Sequence, residues 1–210
     1  MSDLTLYTHP HSRGVSISWM LEECQANYQV KLLQFHTSMK APEYLALNPA
    51  GKVPTLTDGA VVISETAAIL TYLADQYPER QLAPAVTSPQ RGEYYKWLFF
   101  FCNQLEPALT NKKHAIIDVT DKMHFELGYA SLDVIIQQYS QHLSQNRYLL
   151  GEQFTAADIQ LTGLLVWANT FQDIIQLDQT LTDYVASNTQ REAFVRAMQL
   201  NQDYTAKMQD

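Results

Sequence analysis

Three short stretches combine side chains and backbone breaks that could do chemistry. His9-Pro10-His11-Ser12-Arg13-Gly14 follows a β-prone run, Leu4 to Thr8. It precedes Ile17, Met20, Leu21 and Cys24, which repeat at i, i+3, i+4 and i+7. Ser12 therefore stands at or just before a helix N-terminus, where free N–H groups and the positive end of the dipole favour an anion. A plain N-cap would use the same position. In Asn48-Pro49-Ala50-Gly51-Lys52-Val53-Pro54, a proline opens a strand and cannot donate a ladder hydrogen bond, so the strand is irregular or at an edge. A cis Val53–Pro54 bond fits such a tight turn. An open edge would let Val53 offer its backbone to an extended peptide, and an ordinary turn is the alternative. Ser64-Glu65-Thr66 ends a strand and starts a helix. Ser64 is an N-cap candidate and Glu65 falls in the first turn. These groups could equally grip a carboxylate and an ammonium.

The elements that must position these residues can be read from periodicity. Leu4–Thr8, a helix from Arg13 and a strand over Tyr28–Phe35 make a βαβ unit with a parallel pair. A short helix is expected over Pro42–Leu47. Two β-branched runs, Val53 to Thr57 and Val61 to Ser64, flank Asp58-Gly59, a hairpin signal. Thr66, Ile69, Leu70, Leu73 and Tyr77 then step at helical spacing until Pro78. Prolines 78, 84 and 89 mark a linker. Beyond it only helical patterns appear, roughly 90–113, 123–145, 156–172 and 191–200. The expected organisation is a small α/β domain over 1–78, a linker over 79–88 and an all-helical domain over 89–210. Thr155 and Asp158 predict a capping box, with Phe154 and Ile159 as its hydrophobic staple.

Composition narrows the function classes. The 210 residues carry 14 basic and 22 acidic side chains, a net charge of −8. Such a chain repels nucleic acid and anionic membranes, so any anionic ligand needs a local pocket. Cys24 and Cys102 form no C-x-x-C pair, which predicts no disulfide framework, no metal site and a reducing, cytoplasmic setting. The longest apolar stretch, Trp97 to Cys102, is too short to cross a bilayer, and the first residues show no secretory signal. Cys24 and Cys102 both read as packing residues.

Taken in order, these motifs resemble the glutathione transferase family, specifically its bacterial soluble members. The resemblance covers nearly the whole chain. It includes Leu6 to Gly14, Trp19 to Glu23, Asn48 to Pro54, Ser64 to Ile69, Leu149 to Ile159 and Arg191 to Ala197, where Glu192 stands in place of a common proline. It implies a thioredoxin-like first domain, an all-α second domain, a cytoplasmic homodimer and glutathione as co-substrate, without a metal. It also implies that Val53, before a cis Pro54, pairs with the cysteinyl part of glutathione. Ser64 and Glu65 would hold the γ-glutamyl end, and Lys52, with His36 as a second candidate, the glycyl carboxylate. The electrophile would lie against His9, His11, Phe99 and Asn103.

The implied chemistry is conjugation of a bound thiolate to hydrophobic electrophiles, with glutathione peroxidase activity as an extension. A thiol of pKa about 8.5 needs roughly 1.4–2.8 kcal/mol to drop one to two units. One hydrogen bond to the anion supplies about 1.5–3 kcal/mol and a helix end about 0.3–1. Ser12 matches the serine of serine-type members. Tyr7 is the competing hydroxyl, one residue further from Arg13-Gly14 than tyrosine-type members place theirs. No cysteine occupies this loop, which argues against thiol–disulfide chemistry. The alternatives are a non-enzymatic binding protein on the same fold, and a glutathione-dependent dehalogenase or isomerase.

Overall fold

A computed structural model describes residues 3–116, 120, 123–171 and 174–208. The chain forms two compact units, one of residues 3–80 with 189–208 and one of residues 81–188.

The first unit is built on a four-stranded sheet of order β2-β1-β3-β4. Strands β1 (Leu4–Thr8) and β2 (Tyr28–Leu32) are parallel, while β3 (Thr55–Asp58) runs antiparallel to both β1 and β4 (Val61–Ser64). Helix α1 (Gly14–Cys24) supplies the crossover between the parallel strands. Its predicted apolar face is buried: Ile17, Met20, Leu21 and Cys24 are buried along with Leu4, Leu6 and Leu56 of the sheet and Ile69, Leu70 and Leu73 of α3 (Thr66–Gln76), and α1 packs on β1 and α3. Helix α2 spans Pro42–Leu47, as the sequence predicts. The last helix, α9 (Glu192–Lys207), packs on α1. Arg191 makes a two-pronged ion pair with Glu23 at 2.6 and 2.8 Å, and Phe194 meets the Trp19 ring edge-on. The sequence expectation puts 191–200 with the second domain, whereas these contacts attach α9 to the first unit.

Two strands differ from expectation. β2 stops at Leu32 rather than Phe35. The Leu33 N–H still bonds the Thr8 carbonyl, but the chain then turns outward and leaves Phe35 43% exposed. β3 begins at Thr55, since Pro54 has no N–H to give. In the hairpin, Asp58 pairs with Val61, so the two loop residues are Gly59 and Ala60. Gly59 takes the positive φ of 55°. Asp58 instead accepts a hydrogen bond from Tyr72 at 3.0 Å.

The second unit is helical: α4 (Gln90–Phe100), α5 (Glu106–His114), α6 (Leu132–Leu143), α7 (Ala156–Val166) and α8 (Gln179–Thr189). Trp97 stacks on Tyr139 at 5.3 Å in its core, with Phe100 edge-on to both. The predicted run 90–113 is broken by a π-turn at Phe101–Leu105. Pro107 has no N–H for the Asn103 carbonyl four residues back, and the widened turn absorbs that mismatch. The predicted run 123–145 is helical only from Leu132, apart from one 3₁₀ turn at Met123–Phe125. The Gln104 amide holds Gly128 and Ala130 in a non-helical turn between them. Helix α8 was not expected. Asp178 caps it through the Leu181 N–H at 2.9 Å. The capping box of α7 is present, with Thr155 and Asp158 both fully buried.

Candidate functional site

The sheet register gathers the predicted residues of the first unit. Tyr7 lies opposite Thr55, and Thr55 lies opposite Ser64. The end of β1, the start of β3 and the end of β4 therefore share one end of the sheet, about 10 Å across two strand spacings. The N-termini of α1 and α3 open at the same end. Free N–H groups of a helix's first turn collect there and favour negative charge.

The loop from β1 to α1 is tightly fixed. Ser12 Oγ donates to the His9 carbonyl at 2.7 Å and accepts the Gly14 N–H at 3.0 Å. The N-cap itself is Arg13. Gly14 is pressed on β1: a Cβ there would lie 1.9 Å from Thr8 Oγ1 and 3.1 Å from Ser12 Oγ. His9 is 7% exposed and stacks on Phe35 at 3.8 Å. Its Nδ1 accepts the His11 N–H at 3.0 Å. Burial, and then the neighbouring His11, hold the His9 pKa below its usual value. The exposed His11 ring lies 5.5 Å from that of His9.

The second loop is fixed from within. The Val53–Pro54 bond is cis, and Gly51 takes a φ of 58° with Met39 O and Lys40 Nζ too close to admit a side chain. Asn48, buried, donates to the Lys52 carbonyl at 2.9 Å and to Thr55 Oγ1 at 3.1 Å, and accepts the Ala50 N–H at 3.1 Å. The Tyr44 hydroxyl also donates to the Lys52 carbonyl and bonds Thr55 Oγ1. Lys52 is exposed. A second cation, Lys40, bonds the Ala50 and Gly51 carbonyls at 3.3 and 3.0 Å.

At the third stretch, Ser64 is the last residue of β4 and not the N-cap of α3. That place belongs to Glu65, at φ 70° and ψ 121°, and no side chain caps the helix. A non-glycine residue at such a φ is strained, and strain of this kind concentrates at functional sites. The hydroxyl in the first helical turn is Thr66, beside the N–H groups of Ala67 and Ala68. The sequence motif contains Thr66 but gives it no role; its position directly after Glu65 is the available signal. Asn48, Tyr44 and Lys40 carry no such signal. A buried asparagine side chain bonding backbone leaves no periodic trace.

Other predicted residues lie elsewhere. Thr8 faces α1, so Tyr7 faces the opposite side of the sheet, as successive strand residues must. There its hydroxyl accepts from Lys31 at 3.4 Å and its ring meets Tyr44 at 5.8 Å. His36 sits exposed in the turn after Phe35 with a φ of 66°. In the second unit, Phe99 is 61% exposed and Asn103 lies exposed in the π-turn. A cavity of about 420 Å³ in that unit is lined by Cys102, Glu106 and Pro107 among others, and by neither of those two. Cys102 is thus half-buried, taking a Gln160 amide at 3.5 Å, while burial pushes the Cys24 thiol up to about 12. Among the described residues no group of three His, Cys, Asp or Glu side chains could hold a metal, and no helix is long and apolar enough to cross a membrane.

Comparison with known proteins agrees with this geometry. Residues 2–75 match the glutathione S-transferase N-terminal domain, and residues 117–182 match the C-terminal domain. Glutathione S-transferase 1 of Schizosaccharomyces pombe is 37% identical over 188 residues, 83% of this chain and 78% of that protein. Glutathione S-transferase GstA of Escherichia coli O157:H7 is 30% identical, covering 72% of each chain. The theta class glutathione S-transferase of Xanthomonas axonopodis pv. citri, solved with glutathione bound, superimposes with a TM-score of 0.76 at 26% identity over 94% of this chain and 97% of that one. With both domain patterns matched and relatives aligned over most of its length, the chain belongs to the glutathione S-transferase family.

Proposed function

We propose that the protein conjugates the thiolate of glutathione to hydrophobic electrophiles, and that its peroxidase activity, if an organic hydroperoxide replaces the electrophile, uses the same thiolate. The observation that carries the reading is the convergence of the Ser12 loop, the Val53 backbone and the Glu65-Thr66 helix start at one end of the sheet. A span of about 10 Å suits an extended tripeptide, at roughly 3.3–3.6 Å per residue.

In this reading Val53 pairs with the cysteinyl backbone. The α3 N-terminus with Thr66 takes the γ-glutamyl carboxylate, and Glu65 its ammonium. Ser64 stands behind them on the strand. Lys52 and Lys40 supply cations for the glycyl carboxylate, with His36 further out. Ser12, at the start of α1, stabilises the thiolate. His9 and His11 form an aromatic wall beside it, and Phe99 and Asn103 are the candidates contributed by the helical domain. Residues 1–78 act as the glutathione-binding domain, 79–88 as linker and 89–210 as the helical region, whose last helix, α9, packs on the first unit. The protein works as a cytoplasmic homodimer.

A glutathione-affinity column combined with a chlorodinitrobenzene assay tests the reading. Retention with turnover is expected. Retention without turnover of any electrophile would leave a binding protein, and no retention would end every glutathione reading. Light scattering after size exclusion checks the dimer.

A further inference from the structure

Lys52 and Val53 share one peptide plane. That bond is trans, since among the described residues only Val53–Pro54 is cis. In a trans peptide the C=O and the N–H point in opposite directions. The Lys52 carbonyl points inward, where it takes hydrogen bonds from Asn48 Nδ2 at 2.9 Å and from the Tyr44 hydroxyl. The Val53 N–H must therefore point outward, and no described group accepts it.

The two donors are themselves held. Asn48 is buried, and its Oδ1 is fixed by the Ala50 N–H. Thr55 Oγ1 accepts from Asn48 at 3.1 Å and bonds Tyr44 at 2.8 Å. Thr55 is fully buried and begins β3, so the cluster is anchored to the sheet. Turning the 52–53 plane over would strip the carbonyl of two donors and bury the Val53 N–H against them.

We propose that Asn48 and Tyr44 are positioning residues that lock this plane and so aim the Val53 N–H at the ligand backbone. The inference rests on the glutathione reading above. It assigns them no part in the chemical step.

The test compares glutathione dissociation constants, by calorimetry, for wild type and single variants. Asn48→Asp keeps the acceptor for Ala50 but loses the donor to Lys52. Tyr44→Phe loses only the hydroxyl. Each should raise Kd and the KM for glutathione about tenfold, equivalent to about 1.4 kcal/mol. At saturating glutathione kcat and its pH profile should stay at wild-type values. Tyr72→Phe, which removes a hydrogen bond to Asp58 on the same sheet, serves as the stability control and should leave Kd unchanged. Kd values for both Asn48→Asp and Tyr44→Phe within about twofold of wild type would overturn the proposal, as would an equal loss in Tyr72→Phe. Failure of the wild type itself to bind glutathione would instead sink the functional reading.

Discussion

Ser12 Oγ lies 2.7 Å from the carbonyl oxygen of His9, so the hydroxyl proton already has an acceptor. To reach a thiolate it must leave that carbonyl. The exchange gives up a neutral hydrogen bond of about 0.5–1.5 kcal/mol and gains a charged one of about 1.5–3. The difference corresponds to about one pKa unit on the thiol. Ser12→Ala should therefore raise the kinetic pKa by about one unit and cut conjugation about tenfold below it, with a smaller loss at alkaline pH. Tyr7→Phe should leave the pKa in place, because Tyr7 faces the other side of the sheet and bonds Lys31. A pH–rate profile of both variants checks this; the reverse order would move the role to Tyr7.

Gly14 is held against Thr8 so closely that an added Cβ would fall 1.9 Å from Thr8 Oγ1 and 2.9 Å from its Cβ. Alanine is the better helix former by about 1 kcal/mol, but relieving this clash means moving β1 or the Ser12 loop. Overpacking of that kind costs about 1–3 kcal/mol. Gly14→Ala should lose stability in denaturant melts and lose glutathione affinity with it. Adding Thr8→Ala removes the worst contact and should recover part of both, which a double-mutant cycle would read as a favourable coupling.

His9 gives the first unit a defined acid sensitivity. Its folded pKa is lowered by burial and by His11, so the fold favours the neutral ring. Between the folded value and the unfolded one of about 6.5, the unfolded chain binds more protons. The stabilisation is complete above about 6.5 and is lost as pH falls through the folded value. The His9 ring should titrate below the ordinary imidazole value of about 6.5 in NMR, and His9→Asn, which keeps an acceptor for the His11 N–H, should flatten the stability curve on the acid side.

The parts of this fold that follow a period were open to sequence reading, and the parts that depend on one distant partner were not. Leu4, Leu6 and Thr8 alternate, and Ile17, Met20, Leu21 and Cys24 step as a helix. β1 and α1 follow from them almost residue for residue. The attachment of α9 rests on Arg191 meeting Glu23 across 168 positions of chain, which no local pattern encodes. At the site, the motifs single out Ser12, Val53, Pro54 and Glu65, and they point to Ser64 as the cap because serine is a good one. The strained Glu65 occupies that place and leaves Thr66 to open the helix. Tyr7 was a candidate by type alone. Only the alternation seen at Thr8 and Gly14 shows which side it faces.

Asp158 is the most heavily used side chain of the helical unit. Its carboxyl is fully buried and accepts from the Leu149 and Thr155 N–H groups at 2.9 and 2.8 Å, the Thr155 hydroxyl at 3.0 Å and the Tyr184 hydroxyl at 2.9 Å. Burial raises its pKa and these hydrogen bonds oppose the rise. Asp158→Ala would take the carboxylate acceptor from two buried backbone N–H groups and from two hydroxyls, those of Thr155 and Tyr184. At about 1–3 kcal/mol each, the loss should reach 4 kcal/mol or about that, far above the ~1 kcal/mol of an ordinary cap. Asp158→Asn keeps one acceptor and turns an N–H toward groups that are themselves donors, so it should fall between wild type and alanine. Thermal melts would establish that order. An alanine variant within about 1 kcal/mol of wild type would mean that water enters to serve Leu149 and Tyr184, and that α7 owes its start to the packing of Ile159 and Leu161.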